Sequence, residues 1–390
     1  LFLPESESFK KICALKKICV IVPGVGIVGN ATAYYLAKKG LSVIVLEASE
    51  YIGNGGSSRN GGGVRQSGRD PKELPLMVWG VKNIWPHLSE ELGVDTEYKQ
   101  KGNLRLGKTP AHMEKLKTLA DNAIKCGVDV QMLTAEEVKK INPYLSDAVI
   151  GASWCPTDGH ANPLTTTLGY YKAARALGAD FVTGCPVKKI ITEKGKVCGV
   201  ETPEQKFYAP SVVVAAGFES NEILGTVGIN IPMRKRVLQC LVTEAEPQMF
   251  EQMLGTAAAD FYGHQTKHGS FVFGGHDGFE DDPVVINNDY PFSTGDFASC
   301  CSRGIMGYFP LLSNAKIVRT WSGYEDHSSD VVATVSKCDE VPGLYIECGF
   351  SGHGFGIGPA AAYNIAELIA TGSCPADISP LRYDRFKSVI

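Results

Sequence analysis

Two kinds of apolar pattern run along this chain. Residues 18–22, 41–46, 212–215 and 344–347 form nearly unbroken apolar runs, the pattern of strands buried on both faces of a parallel sheet. Residues 238–244, 261–265 and 270–274 alternate instead, as antiparallel strands do when one face packs on a core. The stretch 96–106 reads as a further strand of that second set. Helical periodicity covers 27–39, 111–125, 135–141, 163–177 and a run ending at 370, with Gly40 and Gly372 placed as stops. Residues 187–193 and 196–201 read as a hairpin. The pattern predicts an α/β unit combined with an antiparallel β unit. No internal repeat is visible.

The first strand–helix junction carries chemistry. Gly24, Gly26 and Gly29 spell GxGxxG between the first apolar run and the first helix. A tight turn needs Gly24, close approach of a pyrophosphate needs Gly26, and close helix–strand packing needs Gly29. Glu47 ends the second strand, 18 residues after Gly29, near the spacing at which an acid accepts from a ribose. Strand, glycines, helix, second strand and acid are in register, so the segment predicts dinucleotide binding.

Composition narrows the partners. The chain has 390 residues, room for about two domains. The net charge of −4 leaves no basic surplus for a phosphate backbone, so nucleic acid is not the expected partner. Glycine numbers 43, against roughly 27 at the usual frequency of about 7%. Twelve cysteines include no CxxC pair, which predicts reduced thiols, a cytoplasmic location and no metal site. No apolar stretch reaches the length of about 18 residues that spans a membrane. Residues 1–16 read as a loose N-terminal extension.

Two further glycine-rich loops separate this chain from a nicotinamide enzyme. Residues 53–63 offer many backbone N–H groups to phosphate and to a flat ring. Residues 349–358 feed the head of the last helix, about 300 residues beyond the first motif. Two such sites in one chain suit FAD, one for the pyrophosphate and one for the flavin ring.

The chain resembles the D-amino-acid oxidase superfamily of FAD enzymes, and within it the sarcosine oxidase β, L-proline dehydrogenase β and glycine oxidase group. The likeness runs from about Lys17 to Gly372. It is carried by residues 22–29, 57–66, 153–163, 212–217, 319–324 and 349–355, the last reading Gly-Phe-Ser-Gly-His-Gly-Phe. It implies a Rossmann-like FAD-binding domain (17–90, 150–230, 330–375) interleaved with a substrate-binding domain on a mixed or antiparallel sheet (91–149, 231–329). It also implies oxidation of a C–N bond of an amino or imino acid, with hydride passing to the flavin and the imine hydrolysing, in a β-type subunit of a dehydrogenase complex.

Expected contacts to non-covalent FAD are Gly24, Gly26, Ile27, Val28, Gly29, Glu47 and Ala48 at the first motif. Ser57, Ser58, Arg59, Gly61, Gly62 and Gly63 serve the middle loop. Val187 serves the adenine side, Ala215, Ala216 and Gly217 are further cofactor contacts, and Gly352, His353, Gly354, Phe355 and Gly356 serve the flavin ring. Candidate substrate-facing residues are Arg65 for a carboxylate, Tyr262 and His264 on one strand face, Trp321 and His353. Three departures from the family pattern stand out. Glu325 occupies the position of a carboxylate-binding Arg, as a surface acid or as a reader of a cationic tail. No Cys lies near Ser322 to attach flavin. Gly356 stands where monomeric sarcosine oxidases carry an oxygen-activating Lys. An oxygen-using oxidase, a flavin-bearing relay subunit without catalysis and a nicotinamide dehydrogenase are the competing readings.

Overall fold

The computed structural model describes residues 18–275 and 295–389; the expected extension 1–16 lies outside them. The four buried apolar runs become strands of one six-stranded sheet. Its order is Thr334–Lys337, Leu344–Cys348, Ser211–Val214, Val20–Pro23, Val43–Leu46 and Asp180–Val182. All neighbours are parallel except the edge pair Thr334–Lys337 with Leu344–Cys348. Helices Ile27–Lys38, Leu74–Asn83, Pro163–Ala176 and Gly354–Thr371 cover one face. A three-stranded meander (Lys189–Glu193, Lys196–Glu201, Lys206–Tyr208) and helix Ser220–Gly225 cover the other. Both faces are therefore dry, which is why these strands read as continuous apolar runs.

The alternating segments build a second sheet of eight strands. In order these are Ile317–Ser328, Met233–Ala245, Ser270–Gly275, Phe261–Gln265, Met253–Thr256, Asn103–Gly107, Gly151–Cys155 and Gln131–Thr134. It is antiparallel apart from the pair Met253–Thr256 with Asn103–Gly107. One face packs a phenylalanine-rich core under helices Ala135–Ile141 and Gly295–Tyr308. Of the expected strand 96–106, only Asn103–Gly107 joins the sheet, with a single bridge at Lys99 to His160.

The chain passes between the two sheets four times. Gly63–Val64 pairs with Gly159–His160, so the middle glycine loop is stitched to the chain that enters helix Pro163–Ala176. Every described cysteine is a free thiol. Among the described residues no helix is long and apolar enough to cross a membrane.

Candidate functional site

The first motif is built as its spacing requires. Gly24 has φ +104, and a Cβ there would strike the Ala215 carbonyl. A Cβ on Gly26 would lie 2.9 Å from Ser57 Oγ, and one on Gly29 would run into the Gly24 carbonyl. Ala215 donates its N–H to Pro23 at 3.0 Å, so Ala215, Ala216 and Gly217 wall this crevice from the neighbouring strand. The helix that follows has no acidic residue in its first turn and no side-chain cap. Ile27 N–H is met by Ser57 Oγ at 2.8 Å; Val28 and Gly29 complete the positive N-terminal turn. Glu47 accepts from Val25 N–H and Ser49 N–H, both at 2.8 Å. It thus braces the turn first, with Ala48 beside it, and each oxygen keeps a lone pair for a ribose. Val187 is half-buried on the meander side.

The last helix brings its own N-terminus to the same place. A Cβ on Gly358 would lie 2.9 Å from Val28 Cγ2, and one on Gly356 2.9 Å from the Gly63 carbonyl. Residues about 300 apart in sequence therefore meet backbone to backbone. Gly352 has φ +78, His353 is the N-cap of helix Gly354–Thr371, and no acid lies in that first turn. Trp85 Nε1 donates to the Gly356 carbonyl at 2.9 Å and its ring packs on Phe355, fixing the loop from below. Two adjacent positive helix ends and a crevice whose glycines leave room only for backbone fit a dinucleotide carrying a flat ring.

Arg59 serves the scaffold. Its guanidinium donates to the Asn54 and Ser322 carbonyls and to Asn54 Oδ1, and its own carbonyl accepts from Trp321 Nε1 at 3.1 Å. Ser58 and Asn60 lie on the open side of this loop, and Gly62 exchanges a hydrogen bond with Ala161.

Behind the loops lies a buried charge cluster. Arg65 donates to the Ser67 carbonyl at 2.8 Å. Burial lowers its pKa, against the pull of Asp158 and Glu73. Arg69 is pushed down to about 9 and Arg105 to about 10, each by burial first and by a neighbouring guanidinium second. Asp158 accepts from the backbone of Gln66 and Ser67, which fixes the segment carrying Arg65. Glu73 accepts from Ala333 N–H at 3.0 Å and faces His353 Nδ1 at 3.2 Å. Burial, with Arg69 second, pushes His353 down to about 4. The imidazole is thus neutral, donating its Nδ1–H to the Glu73 carboxylate and leaving Nε2 as an acceptor.

The second sheet lays one row of residues over the middle loop. Cross-strand pairing aligns Tyr262, Gly274, Cys240 and Trp321. Gly274 has no side chain, so the Tyr262 ring lies across it and against Gly61. Tyr262 and His264 share a strand face, yet the structure separates their surroundings. His264 stacks on His160 with ring centroids 3.8 Å apart, and burial keeps both neutral, His160 at about 4 and His264 well below its usual value. His264, His160 and Trp321 line a cavity of about 320 Å³ together with Tyr98, Asn60 and Lys267. The Tyr262 ring packs instead against Gly61 and Gly274, and burial, with Cys240 second, raises its hydroxyl pKa. Of the expected group, His264 and Trp321 line this cavity, while Arg65, Tyr262 and His353 are not among its lining residues. Sequence reading missed Glu73, Arg69, Arg105 and the His160 stack. Asp158 and His160 lay inside a matched stretch, the only signal available for either.

Residues 19–368 match the family model described as DAO, FAD dependent oxidoreductase. The β subunit of sarcosine oxidase from Rhizobium meliloti (strain 1021) is 29% identical over 378 residues, 94% of this chain and 88% of that protein. The structure of L-proline dehydrogenase from P. horikoshii superposes with a TM-score of 0.87 at 31% identity, covering 96% of this chain and 99% of the other. Glycine oxidase from Geobacillus kaustophilus shares the fold, with a TM-score of 0.85 at 22% identity and coverage of 95% and 99%.

Proposed function

This chain belongs to the DAO family of FAD-dependent oxidoreductases, and from that premise we propose that it is an amino- or imino-acid dehydrogenase acting on a secondary amine. The observation that carries the proposal is the meeting of Gly63 and Gly356. Two helix N-termini meet there, and the residues read as facing the substrate, Arg65, Tyr262 and His353, lie on the segments that adjoin them or cover them, which supports the reading. FAD, when bound, supplies a hydride acceptor.

The chain's own residues do the rest. Gly24, Gly26, Ile27, Val28, Gly29 and Glu47 hold the dinucleotide by backbone and carboxylate, without a covalent link. The N–H groups at the head of helix Gly354–Thr371 favour negative charge gathering on a ring beside them. Arg65 takes the substrate carboxylate, with Tyr262 above it. A neutral His353, held by Glu73, presents Nε2 as an acceptor. The hydride leaves the carbon next to nitrogen, the nitrogen lone pair forms the imine, and water hydrolyses it. The interleaved ranges 17–90, 150–230 and 330–375 serve the cofactor, and 91–149 and 231–329 the substrate. Likeness to a chain named as a β subunit supports a place in a complex.

Anaerobic mixing of the purified flavoprotein with sarcosine and other N-methyl amino acids, with proline, and with glycine as a primary amine tests this. Bleaching of the flavin by a secondary amine supports the reading, and a flavin that no amine bleaches overturns it in favour of a relay subunit. In the same assay Arg65→Ala removes a charge-assisted contact of about 1.5–3 kcal/mol, so KM rises roughly ten- to a hundredfold while kcat changes less. Unchanged kinetics would remove Arg65 from the substrate.

A further inference from the structure

Glu325 is 9% exposed, so it is no surface acid. It lies on strand Ile317–Ser328 with Gly323 and Trp321 on the same face, two and four residues back. That face packs on both glycine loops. Trp321 donates to Arg59, and a Cβ on Gly323 would lie 2.7 Å from Arg59 Cβ. A Cβ on Gly352 would strike Glu325 Oε2 itself. The flavin loop therefore needs glycine at 352 to leave this carboxylate in place.

The two oxygens of Glu325 are unequal. Oε1 takes both of the side chain's protein partners, His327 Nδ1 at 3.0 Å and Arg236 Nη1 at 3.8 Å. Oε2 has no hydrogen-bond partner among the described residues. A largely buried carboxylate is costly unless it is paired. Here the fold serves one oxygen and leaves the other at the head of the flavin loop, against Gly352.

We infer that Glu325 binds a second positive charge on the substrate, a guanidinium or ammonium distant from the reacting nitrogen. The inference rests on the amine-oxidation reading above and names its substrate class: a carboxylate at one end for Arg65, a cation at the other for Glu325. The reacting nitrogen itself is excluded as the partner. A carboxylate beside it favours the protonated amine, and a protonated nitrogen has no lone pair with which to form the imine as hydride leaves. A permanently charged group elsewhere on the molecule carries no such conflict.

Two amines of equal length separate the possibilities, Nα-methyl-lysine and Nα-methyl-norleucine, which differ in the terminal ammonium. With a dye as acceptor, wild-type enzyme is expected to prefer the lysine derivative about ten- to a hundredfold in kcat/KM. E325Q is expected to lose that preference through KM, the lysine derivative falling to the level of the norleucine derivative. If E325Q fails to retain flavin, E325D, which keeps the charge and shortens the reach, gives the decision: a reduced preference supports the assignment and a full one overturns it. Equal kcat/KM for both amines in wild type, or a preference that survives in E325Q, overturns the role of Glu325 and leaves amine oxidation standing. A flavin bleached by neither of these amines nor by any other secondary amine removes both readings.

Discussion

At the scale of single residues, the most exposed energetic consequence is a carboxyl that no water reaches. Glu347 is 1% exposed on strand Leu344–Cys348. Thr32 Oγ1 donates to its Oε2 at 2.7 Å, and Oε1 has no partner among the described residues. Burial pushes its pKa from 4.5 up to about 8, with Thr32 opposing. The folded state keeps the proton where the unfolded chain has released it. Stability from this group is complete below pH 4.5 and falls as pH rises toward 8. Glu347→Gln imitates the protonated form and lacks that decline. Thermal melts at pH 5.5 and 8.5 are expected to show wild type losing Tm relative to E347Q at the higher pH, and parallel losses would contradict it. Glu325 does not announce its burial in the sequence, whereas Glu347 ends a run that reads as a strand buried on both faces. Arg65 and His353 were legible because they adjoin glycine loops. Glu73 was not, because only the packing of helix Leu74–Asn83 under the last helix sets residue 73 against residue 353.

At the scale of elements, glycines at helix ends divide into those that make the site and those that end a helix. A Cβ on Gly29 meets the Gly24 carbonyl, backbone that cannot yield without opening the turn. Gly40 has φ +79 and open space around it, so alanine there costs about 1 kcal/mol of local strain and touches nothing. Gly29→Ala is expected to lose most of its flavin on gel filtration, read as the ratio of flavin to protein absorbance, while Gly40→Ala keeps it. Equal retention in the two would separate the motif from the cofactor. Elements were legible where one physical rule governed them. Residues 261–265 alternate and form strand Phe261–Gln265. Met233–Ala245 starts five residues before the expected 238, because Arg234, Lys235 and Arg236 break the alternation and cross-strand pairing with Ile317–Ser328 holds them extended. Helix Gly295–Tyr308 and strands Gln131–Thr134 and Gly151–Cys155 were not anticipated. The strands are short, and their pattern gains meaning only from the sheet they extend.

At the scale of the whole molecule, the choice between dehydrogenase and oxidase depends on the net field over the flavin side of the site. Gly356 brings no charge, whereas the resemblance places a Lys there in monomeric sarcosine oxidases. A cation beside reduced flavin in a dry site stabilises developing superoxide. The fold also brings Arg69 near: its Nη2 lies 3.6 Å from where a Cβ of Gly356 would be. That guanidinium is opposed by Glu73 at 3.9 Å, and both side chains are almost wholly buried. The pair has little net field, so the cation does not act as a free lysine would. Reduced enzyme mixed with air-saturated buffer in a stopped-flow instrument is therefore expected to reoxidise much more slowly than with a dye. Fast reoxidation with stoichiometric peroxide would make this chain an oxidase. Charge balance also predicts the direction of a variant: Glu73→Gln leaves Arg69 opposed only by Asp158, and reoxidation by air should quicken. If E73Q keeps its flavin and its oxygen rate does not rise, the pairing of Arg69 with Glu73 is not what restrains oxygen.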